Sequence, residues 1–128
     1  MTTPWFKMSG IVLDSSDAGA LADFYHRLLG WEVRYEEPGW VMLKSPNEGP
    51  GLSFASEPTY RRPTWPSKVE IQQMQIHLDI EVNNLETAGA HAIECGAELA
   101  EFQPQKDVRV YLDPAGHPFC LWVRPSGD

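Results

Sequence analysis

His77 and Asp79, two side chains with acid–base chemistry, lie two positions apart in a segment where polar and apolar residues alternate. Alternation with a period of two is typical of a β-strand, because every second side chain points to the same face. Both side chains therefore share one face of a predicted strand over residues 75–82. On that face the Asp79 carboxylate could orient the His77 imidazole, and the pair could act as acid and base.

Each of these two residues also has a structural interpretation. A single histidine on a strand is often a hydrogen-bonded structural group or one that orients a substrate. Asp79 could instead pair with Arg109 or with backbone donors. The other three histidines fall on predicted helices or in a turn, where they carry less chemistry.

Composition excludes several classes of protein. The chain has 128 residues, with 10 Lys and Arg against 18 Asp and Glu, which gives a net charge of −8. Arg61 and Arg62 form the only adjacent basic pair, so the basic stripe of a nucleic-acid-binding protein is missing. No apolar run approaches the roughly 18 residues that a membrane span needs. We therefore expect no nucleic-acid or membrane partner.

The two cysteines, Cys95 and Cys120, do not form a Cys-x-x-Cys motif. Neither a zinc knuckle nor a thioredoxin-like pair is indicated. The first residues lack the basic and then apolar pattern of a secretory signal. We therefore expect a cytoplasmic protein with free thiols.

The first half of the chain reads as strand, helix and three strands. A helix over residues 18–29 has its apolar side chains on one stripe, with Ser16 and Asp17 as capping candidates before it and Gly30 after it. The predicted strands around it are 8–15, 31–35, 40–44 and 52–56.

The second half repeats this order after a polar, proline-containing segment. Asn83 and Asn84 can cap a helix over 85–95, and Gly96 can end it. Three further strands are predicted at 98–102, 108–112 and 119–123. The repeat predicts one domain, 1–128, composed of a first βαβββ module at 1–56, a connecting arm at 57–73 and a second module at 74–128.

Three stretches, 22–31, 72–82 and 113–122, carry a family resemblance. They read ADFYHRLLGW, QQMQIHLDIEV and DPAGHPFCLW. The chain resembles the vicinal oxygen chelate superfamily of glyoxalases, bleomycin-resistance proteins and extradiol dioxygenases, and within it the actinobacterial glyoxalase-like subgroup. The resemblance implies an α+β fold in which two βαβββ modules pair into a curled, cup-shaped mixed sheet with helices on its outer face.

Metal-dependent members of this superfamily use one side chain on the first strand and one on the last strand of each module. The resemblance places these positions at Gly10 and near Leu52 in the first module, and at His77 and Cys120 in the second. Glycine and leucine offer no donor, and cysteine is an unusual ligand in this family. The metal site therefore looks lost, and we expect neither a metal nor another cofactor.

In the implied fold, aromatic and apolar side chains line the cup. Such a lining suits a planar organic ligand held by few polar groups. The alternative is that the tryptophans fill the core or an interface. The expected ligand-binding residues are Val12, Trp40, Leu52, Phe54, His77, Asp79, Cys120 and Trp122.

Two functions remain open at this stage. One is a metal-independent protein that binds or sequesters an organic metabolite or drug. The other is an enzyme of the lyase, isomerase or dioxygenase type with a divergent site around His77, in which His77 and Asp79 would be the catalytic residues. In both cases we expect a homodimer, since related proteins bury sheet edges by pairing modules.

The missing donors at Gly10 and Leu52 predict that the purified protein carries no stoichiometric transition metal. Elemental analysis after purification without chelator measures this directly. About one zinc, iron, nickel or manganese per chain would contradict the prediction.

Overall fold

The fold consists of two compact units, Met1–Pro58 and Thr59–Asp128, in a computed structural model that describes residue 4 and residues 6–124. Each unit has one helix and one four-stranded mixed sheet in βαβββ order. The predicted α+β class and the two βαβββ modules are confirmed. The expected homodimer stays a prediction.

In the first unit, the sheet has the strand order β1-β4-β3-β2, with β1 parallel to β4 and the other neighbours antiparallel. Helix α1 has the predicted bounds. The elements are β1 (Gly10–Ser15), α1 (Ala18–Leu29), β2 (Glu32–Glu37), β3 (Trp40–Lys44) and β4 (Gly51–Ser56).

Helix α1 begins and ends at the residues that the sequence indicates. The Asp17 carboxylate accepts a hydrogen bond from the backbone N–H of Ala20 at 3.1 Å. Gly30 follows the helix with φ of 74°, a left-handed conformation that glycine adopts without strain. The buried side of the helix includes Phe24 and Tyr25, which are fully inaccessible to solvent.

Strand β4 turns its large apolar side chains toward α1. Leu52 and Phe54 are buried, and the Phe54 ring stacks on the Tyr25 ring with centroids 5.6 Å apart. Val12 on β1 is 48% exposed and pairs in register with Ser53. The expectation that Leu52 and Phe54 line the cup beside Val12 is therefore wrong, because β4 presents its even-numbered residues to the helix and Val12 lies on the opposite face.

In the second unit, the strand order is β5-β8-β7-β6, with β5 parallel to β8 and the remaining neighbours antiparallel. Helix α2 again has the predicted bounds, with Asn84 as its N-cap. The elements are β5 (Leu78–Glu81), α2 (Leu85–Cys95), β6 (Glu98–Leu99), β7 (Val108–Leu112) and β8 (Pro118–Trp122).

Two strands of the second unit are shorter than predicted. Strand β5 pairs with β8, whose first residue is Pro118, so residues 75–77 have no strand partner there. Strand β6 ends early because the Gln103 amide takes the place of a strand backbone. It donates to the carbonyl of Val110 at 2.9 Å and accepts from the N–H of Val110 at 2.8 Å.

The predicted arm contacts the turn between β7 and β8. The Tyr60 hydroxyl donates to the carbonyl of Ala115 at 2.8 Å, and Arg62 donates to the carbonyl of Pro114 at 2.9 Å. The turn itself is held by the buried Asp113 carboxylate, which lies 2.8 Å from the His117 ring. The start of the arm is thus part of the second unit.

The burial of the Phe54 side chain against α1 leads to a prediction about stability. Phe54→Ala should lower the free energy of unfolding by about 3–5 kcal/mol, because it removes a fully buried ring. Val12→Ala, on the exposed face, should change it by less than about 1 kcal/mol. Chemical denaturation measures both values, and similar small changes for the two variants would contradict the assigned faces.

Candidate functional site

In each unit we call the face of the sheet opposite the helix the open face. The predicted residues of the second module meet on the open face of the second sheet. Asp79 on β5 pairs in register with Cys120 on β8, so their side chains point the same way. His77, one residue before β5, lies on the same side. The donor atoms of these three residues all lie within 4.8 Å of one another.

His77 and Asp79 contact each other directly. The His77 Nε2 atom lies 3.2 Å from the Asp79 Oδ1 atom, with both side chains partly exposed. The alternative partner of Asp79, Arg109, is directed elsewhere. Its guanidinium donates to the backbone carbonyls of Lys106 and Val108.

Burial and the neighbouring carboxylate hold the Cys120 thiol in its protonated form. Desolvation raises the pKa of Cys120, and the charge of Asp79 together with a hydrogen bond to it raises it further, to about 11. A thiol with such a pKa is a weak nucleophile at neutral pH. The arrangement therefore does not support Cys120 as an activated nucleophile.

Trp122 forms an aromatic wall of the same site. It pairs in register with Glu81, and the guanidinium of Arg124 lies over its ring, 5.8 Å from the centroid. The Glu81 carboxylate accepts two hydrogen bonds from Arg124, at 2.7 and 3.2 Å. The ring thus has a carboxylate and a cation beside it.

These side chains surround an open cavity of about 370 Å³ on the second sheet, which we call the second-sheet cavity. Two of its polar residues, Gln105 and Asp107, come from the segment before β7 and were not predicted. The cavity is lined by His77, Asp79, Gln105, Asp107, Val108, Cys120, Trp122 and Val123.

Val12 and Trp40 line a separate cavity of about 540 Å³ on the open face of the first sheet. Lys7, Arg34 and Lys44 give that cavity a basic character. Of the predicted ligand-binding residues in the first unit, Leu52 and Phe54 line neither cavity, because they are buried under α1.

The residues do not fit the four-ligand metal site of the superfamily. Gly10 has no donor, and the strand register places Ser53, rather than Leu52, on the open face of β4. Serine is neither an imidazole nor a carboxylate. The second unit nevertheless brings together a nitrogen, an oxygen and a sulfur donor in His77, Asp79 and Cys120, a set that zinc accepts.

A family model described as "Glyoxalase-like domain" matches residues 10–122. The chain therefore belongs to the glyoxalase-like domain family, which agrees with the resemblance to the vicinal oxygen chelate superfamily. A comparison with curated proteins found no match. Among the described residues, no helix has the length and apolar character required to cross a membrane.

Solved structures with the same fold carry related names. A "glyoxalase/bleomycin resistance protein/dioxygenase family enzyme" from Burkholderia phytofirmans PsJN aligns with a TM-score of 0.72 and 17% identity, covering 92% of this chain and 98% of that one. A "glyoxalase-related enzyme" from Fulvimarina pelagi aligns with a TM-score of 0.66 and 18% identity, covering 93% and 88%.

A "glyoxalase family protein" from Enterococcus faecalis aligns with a TM-score of 0.65 and 22% identity, covering 91% of this chain and 96% of that one. At such identities these neighbours establish the fold. Function has to be argued from the site itself, since one fold hosts many activities.

The raised pKa of the Cys120 thiol gives a prediction. In a Cys95→Ser background, Asp79→Asn should lower the pH midpoint of Cys120 alkylation, because it removes the negative charge that disfavours the thiolate. The midpoint should stay above that of a free thiol, since desolvation persists. Iodoacetamide rates across a pH series measure it, with Asp23→Asn on α1 as the control. An unchanged midpoint in Asp79→Asn would refute the assignment.

Proposed function

We propose that the chain is a glyoxalase-like protein that binds an organic metabolite or drug in the second-sheet cavity without a metal ion. This proposal rests on one observation: the same open cavity is lined by an indole ring and by a hydrogen-bonding pair of polar side chains. Trp122 offers the flat apolar surface, and His77 with Asp79 offers the polar contact.

The balance of apolar and polar groups supports a binding role. Ligand sites in proteins are concave, with apolar walls and a few polar groups that fix orientation. Val108, Trp122 and Val123 provide the apolar part of this cavity. The protonated Cys120 thiol adds bulk and polarisability without adding charge.

The absence of metal donors in the first unit supports metal independence. Gly10 and Ser53 occupy the two positions where that unit would supply imidazole or carboxylate ligands. A four-ligand site is therefore incomplete, and we propose that the ligand is held by stacking and hydrogen bonding instead.

One observation favours a second candidate, an enzyme of the superfamily with a divergent site. His77, Asp79 and Cys120 place three different donor atoms within 4.8 Å. Three protein ligands with an open fourth position are typical of catalytic zinc. Without metal, the His77–Asp79 pair could act as acid and base on a bound substrate.

Elemental analysis and a zinc titration separate the binding protein from the zinc-dependent form of the enzyme. The binding protein gains no zinc at micromolar concentration and retains its ligand affinity in chelator. The divergent enzyme takes up zinc through Cys120, so that zinc protects Cys120 from alkylation in the Cys95→Ser background.

The binding proposal predicts the order of two substitutions. Trp122→Ala should weaken binding of a hit from an aromatic-metabolite screen more than His77→Ala does. The first removes apolar burial together with stacking worth about 0.5–1.5 kcal/mol, while the second removes one hydrogen bond of about 0.5–1.5 kcal/mol. Isothermal titration calorimetry measures both affinities.

Trp31→Ala, which changes an indole outside the second-sheet cavity, is the matched control and should leave the affinity unchanged. If Trp122→Ala binds the hit as tightly as the parent protein, the ligand binds elsewhere and the proposed function fails.

A further inference from the structure

We propose that the ligand of the second-sheet cavity is an organic cation, a protonated amine or guanidinium joined to a flat apolar group. This inference rests on the proposed function and names the class of ligand that the cavity selects.

The cavity is lined by acidic side chains. Asp79 and Asp107 both line it, and no lysine or arginine among the described residues does. His77 is the only lining group able to carry a positive charge, so two carboxylates outweigh it in either protonation state. A cation therefore gains favourable Coulomb energy in this cavity, and an anion is repelled.

The chain's own Arg124 shows that this surface accommodates a guanidinium. Its charged group lies over the Trp122 ring at 5.8 Å and pairs with both oxygens of Glu81. An aromatic face beside a carboxylate is a recurrent way to hold an organic cation. Asp79 and Asp107 line the cavity together with the same indole.

The acidity is a property of this cavity and does not simply follow from the net charge of −8. The cavity on the first sheet is lined by three cations, Lys7, Arg34 and Lys44, with Glu48 as its only carboxylate among the described residues. The linings of the two cavities thus carry opposite net charge, and the acidic one is the cavity that contains His77, Asp79 and Trp122.

Three probes of matched size test the inference: 3-phenylpropylamine, 3-phenylpropan-1-ol and 3-phenylpropanoate. Calorimetry at low ionic strength should give about tenfold tighter binding of the amine than of the alcohol, with the carboxylate weakest. The preference for the amine should fall as salt is added, because the carboxylates are solvent-exposed. Equal affinities for amine and alcohol would overturn the inference and leave the proposed function intact.

Substitutions identify the residues that cause the preference for the amine. Asp79→Asn and Asp107→Asn should each reduce amine affinity several-fold and reduce alcohol affinity by clearly less, whereas Asp23→Asn on α1 should change neither. Trp122→Phe should weaken all three probes. Amine preference that survives the double variant Asp79→Asn, Asp107→Asn would overturn the inference, and failure of all three probes to bind would overturn it together with the proposed function.

Discussion

The packing of one helix against one face of each four-stranded sheet is the constraint on which the site depends. In the first unit, the Phe54 ring stacks on Tyr25 and both are fully buried. Because successive strand residues point to opposite faces, this contact also decides which residues of β4 remain for the other face. Because the helix packs against the large apolar side chains of the strands, the alternate residues of those strands form the open face.

In the second unit, the same division leaves a face of mixed chemistry. Phe119 and Leu121 of β8 are buried, and the intervening Cys120, together with Trp122, points to the opposite side. Register with β5 then brings Cys120 beside Asp79 and Trp122 beside Glu81. Strand pairing makes a carboxylate, a thiol and an indole neighbours, and His77, one residue before β5, adds the imidazole.

The strength of the sequence signals decides how much could be predicted. Helices α1 and α2 carry periodic apolar residues with capping side chains and terminal glycines, so their bounds follow from local chemistry. Residues 77–81 alternate clearly, which indicates that His77 and Asp79 share a face. Strand β4 reads Gly-Leu-Ser-Phe-Ala-Ser, with small residues on one side, and three consecutive residues of it are buried.

The face of β4 therefore depended on its register with β1, a contact between distant parts of the chain. Leu13 on β1 is buried and pairs in register with Phe54. Knowledge of this pairing would have placed the Phe54 side chain on the face that packs against the helix. Gln105 and Asp107 could not be predicted, because they reach the cavity from an irregular segment without periodicity. Its path follows specific side-chain contacts, the Gln103 amide on Val110 and the hydrogen bond that the Trp65 indole donates to the carbonyl of Phe102.

Binding of an organic ligand on the open face of the second sheet is the central proposal. Amide and indole chemical-shift mapping, with a mixture of aromatic metabolites added to isotope-labelled protein, tests it most directly. The account predicts that shifts concentrate in residues 77–81, 105–109 and 120–123, including the Trp122 indole N–H. Shifts confined to residues 85–93 of α2 and to Leu99 and Tyr111, with residues 77–81 and 120–123 unchanged, would contradict it.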